Sequence, residues 1–107
     1  MPEPRPGETA EMRRLRRRID ALDRRIVALL VERTRLGVEV GAAKAAAGLA
    51  VRDAEREREV LLRVATANGG PLPQADLLAL YKRLMAATRR LEADVRRRHH
   101  GGPGPAA

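Results

Sequence analysis

Arg33 and Lys44 stand where an apolar period calls for hydrophobes. Leu15, Ile19, Leu22, Ile26, Leu29, Leu36 and Val40 recur at steps of four and three, broken by a single gap of seven. That is the signature of one buried face of a helix. The residue missing from the gap is Arg33. One turn beyond Val40 falls Lys44, one of only two lysines in the chain. Arg16 flanks the start of the same seam. Cations so placed suit an anion held inside a helical assembly.

The polar interruptions continue downstream. A second apolar stripe, Leu77, Tyr81, Leu84, Thr88, Leu91 and Val95, carries Thr88 in its run, with Glu92 adjoining Leu91. Thr88 and Glu92 are four apart and stack on one helix face. Between the two stripes lies VRDAEREREV, residues 51–60. The inward positions of the helix it opens are Val60, Leu61 and, one turn later, Val64. Stepping back a turn from Val60 and Leu61 gives Arg56 and Glu57, and a further turn reaches Asp53. Glu55, Arg58 and Glu59 point elsewhere, to solvent. For each charge taken singly, a structural ion pair or a snorkelling side chain is the plain alternative. Taken together they are costly, because each buried charge needs a partner. The pattern therefore points to a polar pocket lined by Arg33, Lys44, Asp53, Arg56, Glu57, Thr88 and Glu92, fitted to a small dianion that bears a hydroxyl.

Three helices must position these groups. The chain has 107 residues, enough for one domain, and its helical pattern is broken at Gly48 and at NGGPLP, residues 68–73. The expected helices run from about Thr9 to Ala47, Asp53 to Ala67 and Pro73 to Arg98, with Thr9 and Asp53 as N-caps. A composition rich in Ala, Leu, Arg and Glu, with Tyr81 as the one aromatic residue and no serine, favours helix over sheet. The fold class is all-α. Residues 1–8, with three prolines, and residues 99–107, HHGGPGPAA, are expected to be a disordered lead and tail around a helical domain of residues 9–98. A first helix of nearly forty residues spans roughly 55–60 Å. Two shorter helices cannot cover its stripe, so a second copy is required, and an intertwined homodimer is expected.

Composition excludes several classes. With no cysteine there are no disulfides or thiolate metal sites. His99 and His100, beside a Gly/Pro tail, make a poor metal site. No apolar leader or membrane-length run is present, which points to the cytoplasm. The formal charge of +8, from 22 basic and 14 acidic residues, suits an anionic partner. A basic helical dimer that binds nucleic acid or a protein would account for that charge and for the arginine clusters at 13–14, 16–18 and 96–98. It would not account for polar groups on three helix seams, since such a binder turns its basic residues outward. The arginine clusters are read as solvated surface.

Four motifs in order, I-D-x-L-D, the L-x-x-R ending in Arg33, the V-G-x-x-K ending in Lys44, and V-R-D-x-x-R-E, resemble the all-helical chorismate mutases over about residues 12–95. The resemblance implies an intertwined three-helix homodimer that converts chorismate to prephenate without metal, cofactor or nucleophile. It also implies roles. Arg33 and Arg16 of the partner subunit would hold the two carboxylates, and Lys44 would bridge a carboxylate and the ether oxygen. Asp53 and Glu57 would address the ring hydroxyl, with Arg56 supporting the charge network. Thr88 stands where the family often has serine, and Glu92 where it usually has glutamine. An ionised Glu92 would repel charge growing on the ether oxygen, whereas a protonated one would donate to it, so Glu92 is expected to work protonated. The same scaffold in some antibiotic pathways rearranges 4-amino-4-deoxychorismate, which would also meet Asp53 and Glu57. A pyruvate lyase acting on isochorismate fits less well, because V-R-D-x-x-R-E is intact. Some short members of the family gain activity from another shikimate-pathway enzyme, so an activating partner of that kind is among the implications.

Overall fold

The computed structural model describes residues 5–100, without the side chain of His100. Three helices follow in order: α1 over Ala10–Ala46, α2 over Ala54–Ala67 and α3 over Gln74–His100. No strand occurs among the described residues. They fall into two compact units, divided between Thr34 and Arg35.

The first unit is a capped helix. Thr9 Oγ1 accepts from the amide of Met12 at 3.1 Å, which satisfies one of the donors left open at a helix start. Residues expected to be disordered contribute here. The Glu8 amide bonds back to the Arg5 carbonyl at 3.0 Å, the Glu8 carbonyl accepts from Arg13 Nη1 at 3.1 Å, and the Glu8 carboxylate pairs with Arg16. Residues 5–8 are thus a turn fastened to α1, while residues 1–4 of the expected lead lie outside the described residues.

The apolar seam along α1 is uncovered within the single chain. Its seven hydrophobes, Leu15, Ile19, Leu22, Ile26, Leu29, Leu36 and Val40, are each 42–60% exposed. A row of large apolar side chains this long is far from the scattered exposure of an ordinary surface.

The second unit holds the end of α1 together with α2 and α3. The α1 terminus closes on Gly48, whose φ of +73° is reached without strain only by glycine. The Leu49 amide bonds to the Lys44 carbonyl at 2.8 Å and the Gly48 amide to the Ala45 carbonyl at 3.1 Å, the paired bonds of a Schellman stop. Asp53 caps α2 by accepting from the Arg56 amide at 3.0 Å. Asn68 builds the next connection, accepting from the Gly70 amide and donating to the Leu72 carbonyl and Gln74 Oε1, each at 2.9 Å.

Helix α2 packs on α3 with Val60, Leu61 and Val64 half-buried. The buried row of α3 differs from the expected one. Met85 is the buried hydrophobe, Leu84 is only half-buried, and Leu91 is exposed while its neighbour Glu92 is buried. Steps of four and three from Tyr81 give Met85, Thr88, Glu92 and Val95, a stripe that shares three members with the leucine-centred one and turns slightly away from it. Helix α3 also runs to His100, two residues past its expected end. Positions 99 and 100 are therefore helical rather than tail, and residues 101–107 lie outside the described residues.

Candidate active site

The centre of the second unit is a lysine and a glutamate on facing helices. The Schellman stop fixes the last turn of α1, where the favourable end of the helix dipole for a cation is found, and Lys44 projects from that turn. Its Nζ donates to the Val51 carbonyl at 2.5 Å and lies 3.2 Å from Glu92 Oε2. Thr88 and Glu92 are the buried polar residues of α3, at 6% and 8% exposure. Although Oε2 is within ion-pair reach of Lys44, the geometry is not that of a hydrogen bond. Glu92 Oε2 is buried with no hydrogen-bond partner among the described residues. A buried oxygen with an open valence is costly unless something else engages it.

Two glycines permit this approach. A Cβ at Gly41 would sit 2.8 Å from Glu92 Cγ, and one at Gly37 would sit 2.6 Å from Thr88 Cγ2. The glycine pair on α1 and the Thr88–Glu92 pair on α3 are each four residues apart, so they meet turn for turn. Beside them, Val38, Ala42, Ala45, Glu92, Val95 and Arg96 line an open groove of about 320 Å³. Arg96 completes the corner by donating to the Leu49 carbonyl at 2.9 Å and the Gly41 carbonyl at 3.5 Å. It is half-buried and tied to the end of α1, unlike the solvated cluster member expected from the sequence; Arg97 and Arg98 are exposed.

Glu57 forms a second charged centre. Its Oε2 lies 2.5 Å from Arg89 Nη1 and its Oε1 3.7 Å from Arg52 Nη2. The carboxylate is only partly exposed and faces α3 as expected. Arg56 does not follow it. That side chain is exposed and pairs with Glu59 at 3.2 Å, because a step of one residue turns it some 100° around α2 from Glu57. Asp53 is also exposed, with Oδ1 committed to the helix cap. Of the three charges expected to face inward from α2, only Glu57 does so in the single chain.

The other expected site residues divide similarly. The Thr88 hydroxyl donates to the Leu84 carbonyl of its own helix at 3.0 Å and presents its methyl to Gly37. In the first unit, Arg33 is half-buried, and Arg16 is exposed and paired with Glu8. Arg89 had no place in the sequence reading, and Arg96 entered it only as a member of a solvated cluster. Both continue rows already in view, Arg89 four residues beyond Met85 and Arg96 four beyond Glu92. No group of three or more His, Cys, Asp or Glu side chains among the described residues could hold a metal ion.

The family model for chorismate mutase type II matches residues 15–93. The chain belongs to the chorismate mutase type II family. It is 35% identical to the chorismate mutase of Thermus thermophilus, solved in two forms. For one form the TM-score is 0.75, with 78% of this chain and 94% of that chain covered. For the other it is 0.70, with 73% and 98% covered. Among curated proteins it is 34% identical over 90 residues to a bifunctional chorismate mutase/prephenate dehydratase of Aquifex aeolicus, covering 80% of this chain and 25% of that protein. It is 34% identical over 103 residues to the protein of that name from Stutzerimonas stutzeri, covering 92% and 28%. The chain thus spans about a quarter of the length of these relatives. No described helix is long and apolar enough to cross a membrane.

Proposed function

We propose that the chain rearranges chorismate to prephenate, as a cytoplasmic homodimer. The observation that carries this reading is the buried Lys44–Glu92 pair, in which Glu92 Oε2 lacks a hydrogen-bond partner among the described residues, in a chain of the chorismate mutase type II family. The reaction breaks one C–O bond and makes one C–C bond within a single substrate, so catalysis is a matter of conformation and charge. The flexible enolpyruvyl arm must be folded over the ring, and the negative charge that grows on the ether oxygen must meet donors already in place.

The roles follow from the family resemblance. Arg33 and Arg16 of the partner subunit hold the carboxylates, a task suited to the planar guanidinium fork. Lys44, a point charge, serves the ether oxygen and one carboxylate. Glu92, protonated in the complex, donates to the same ether oxygen. Glu57 and Asp53 receive the ring hydroxyl. The exposed positions of Arg56 and Asp53 and the inward-turned Thr88 hydroxyl give these three supporting parts, reached by side-chain rotation when substrate and partner subunit are in place.

The uncovered stripe from Leu15 to Val40 supports the dimer, since a second copy supplies a matching stripe. The test is product identity. Purified protein incubated with chorismate should yield prephenate in equal amount, followed by NMR. Consumption to pyruvate and a hydroxybenzoate, or no consumption, would overturn the assignment.

A further inference from the structure

The groove between α2 and α3 carries a charge arrangement the reaction does not require. Glu57 is its one acid, and Arg52, Arg58, Lys82 and Arg89 are its bases, with Leu61 and Met85 as its apolar floor and a volume of about 310 Å³. Arg89 reaches Glu57 Oε2 at 2.5 Å, and Arg52 stands 3.7 Å from Oε1. The two contacts are unequal. The Arg89 side chain is 29% exposed and bonded, whereas that of Arg52 is 66% exposed and beyond hydrogen-bond length, so solvent screens it. Arg89 is the group that sets the electrostatic state of Glu57.

We propose that Arg89 is a specificity-determining residue that tunes Glu57 to accept a hydrogen bond from a neutral hydroxyl and to reject a cation in its place. An ionised carboxylate offers about four lone-pair sites. Arg89 takes one on Oε2, and Oε1 still has room to accept from a ring hydroxyl. Its charge, however, is already matched. A substrate bearing an ammonium at that ring position brings another positive charge into a groove where cations outnumber anions, and the other carboxylate assigned to that position, Asp53, is exposed and holds the α2 cap. Like charges at this range discriminate by roughly ten- to a hundredfold in a partly buried site. Without Arg89, only the solvent-screened Arg52 stands near Glu57, and the carboxylate favours the ammonium. The inference rests on the reading above that Glu57 faces the ring substituent.

The experiment compares kcat/KM for chorismate and for 4-amino-4-deoxychorismate in the natural chain, in Arg89→Met, which keeps length without charge, and in Arg89→Lys, which restores charge without the fork. Both substrates are measured on one protein sample, so any loss of folded protein cancels in the ratio. The natural chain should prefer chorismate. Arg89→Met should move the ratio toward the amino substrate by about tenfold or more, mainly through KM, and Arg89→Lys should bring most of it back. An active natural chain whose ratio is unmoved by Arg89→Met would overturn the role of Arg89 alone. A natural chain that turns over neither substrate would overturn the reading of the site and this inference with it.

Discussion

Lys44 Nζ lies 3.2 Å from Glu92 Oε2, and neither side chain has much access to water. The lysine is anchored independently by its 2.5 Å bond to the Val51 carbonyl. Among the described residues, Oε2 of Glu92 has no such second anchor. The pair is therefore asymmetric, with a cation held by a carbonyl beside an acid whose Oε2 meets it through charge alone.

Removing the cation strands the acid. Lys44→Met should destabilise the protein by about 3 kcal/mol, toward the lower end for breaking a buried pair because Lys44 keeps some solvent contact. The double variant Lys44→Met with Glu92→Leu should lose less than the sum of the single changes, since no orphan charge then remains. Urea unfolding at one fixed protein concentration measures both. Strict additivity would mean the two groups do not interact.

Glu92 as a hydrogen-bond donor makes activity depend on pH in one direction. The donor exists only in the protonated form, so kcat, which reports the complex, should fall as pH rises, and Glu92→Gln, which donates at every pH, should flatten the profile. Steady-state rates between about pH 5 and 9 decide it. A flat natural profile that Glu92→Gln leaves unchanged would remove Glu92 from the mechanism.

The two glycines of α1 should differ when changed to alanine. At Gly37 the new Cβ meets the methyl of Thr88, a β-branched side chain that cannot swing aside, and overpacking of this kind costs about 1–3 kcal/mol. A gain of up to about 1 kcal/mol in helix propensity offsets part of it. At Gly41 the neighbour is the flexible Glu92 Cγ, which can yield, but only by moving its carboxylate away from Lys44. Gly37→Ala should therefore lower the melting temperature and be relieved by Thr88→Ala. Gly41→Ala should lower kcat more than stability. Thermal melts and kinetics on the same preparations separate the two effects.

Charge introduced on the uncovered stripe should prevent association. Leu22→Glu or Ile26→Glu places an anion on an apolar row that is about half exposed in one chain, so it should cost the monomer little and the dimer much. Light scattering should give twice the chain mass for the natural protein and the single mass for either variant, with activity lost in parallel. A natural protein that is monomeric and active would contradict the intertwined arrangement.

The positions of helix breaks and caps are readable from residue type alone. Thr9, Gly48, Asp53 and the NGG run each do locally what their chemistry dictates, and the gap at Arg33 and the step onto Lys44 mark polar residues on an apolar seam. The face of α3 is harder to read. Stripes through Leu84 and Leu91 or through Met85 and Glu92 share Tyr81, Thr88 and Val95, and hydrophobicity favours the leucines. The choice is settled by where the end of α1 and α2 lie, which periodicity does not contain. Arg56 departs from expectation for a related reason, since a side chain beside an inward position is not itself inward. Arg89 and Arg96 are hidden in a chain crowded with arginine. Only the carbonyls and carboxylate they reach, distant in sequence, distinguish them from the solvated Arg97 and Arg98.

The most direct test of the account is the initial rate of chorismate loss, followed by ultraviolet absorbance, for the natural protein and for Lys44→Ala. The account predicts measurable turnover by the natural protein and a fall on the order of 10²–10³ in the variant, the usual consequence of deleting a preorganised donor to a developing oxyanion. Equal rates in the two proteins, or no turnover by a folded natural dimer, would contradict it.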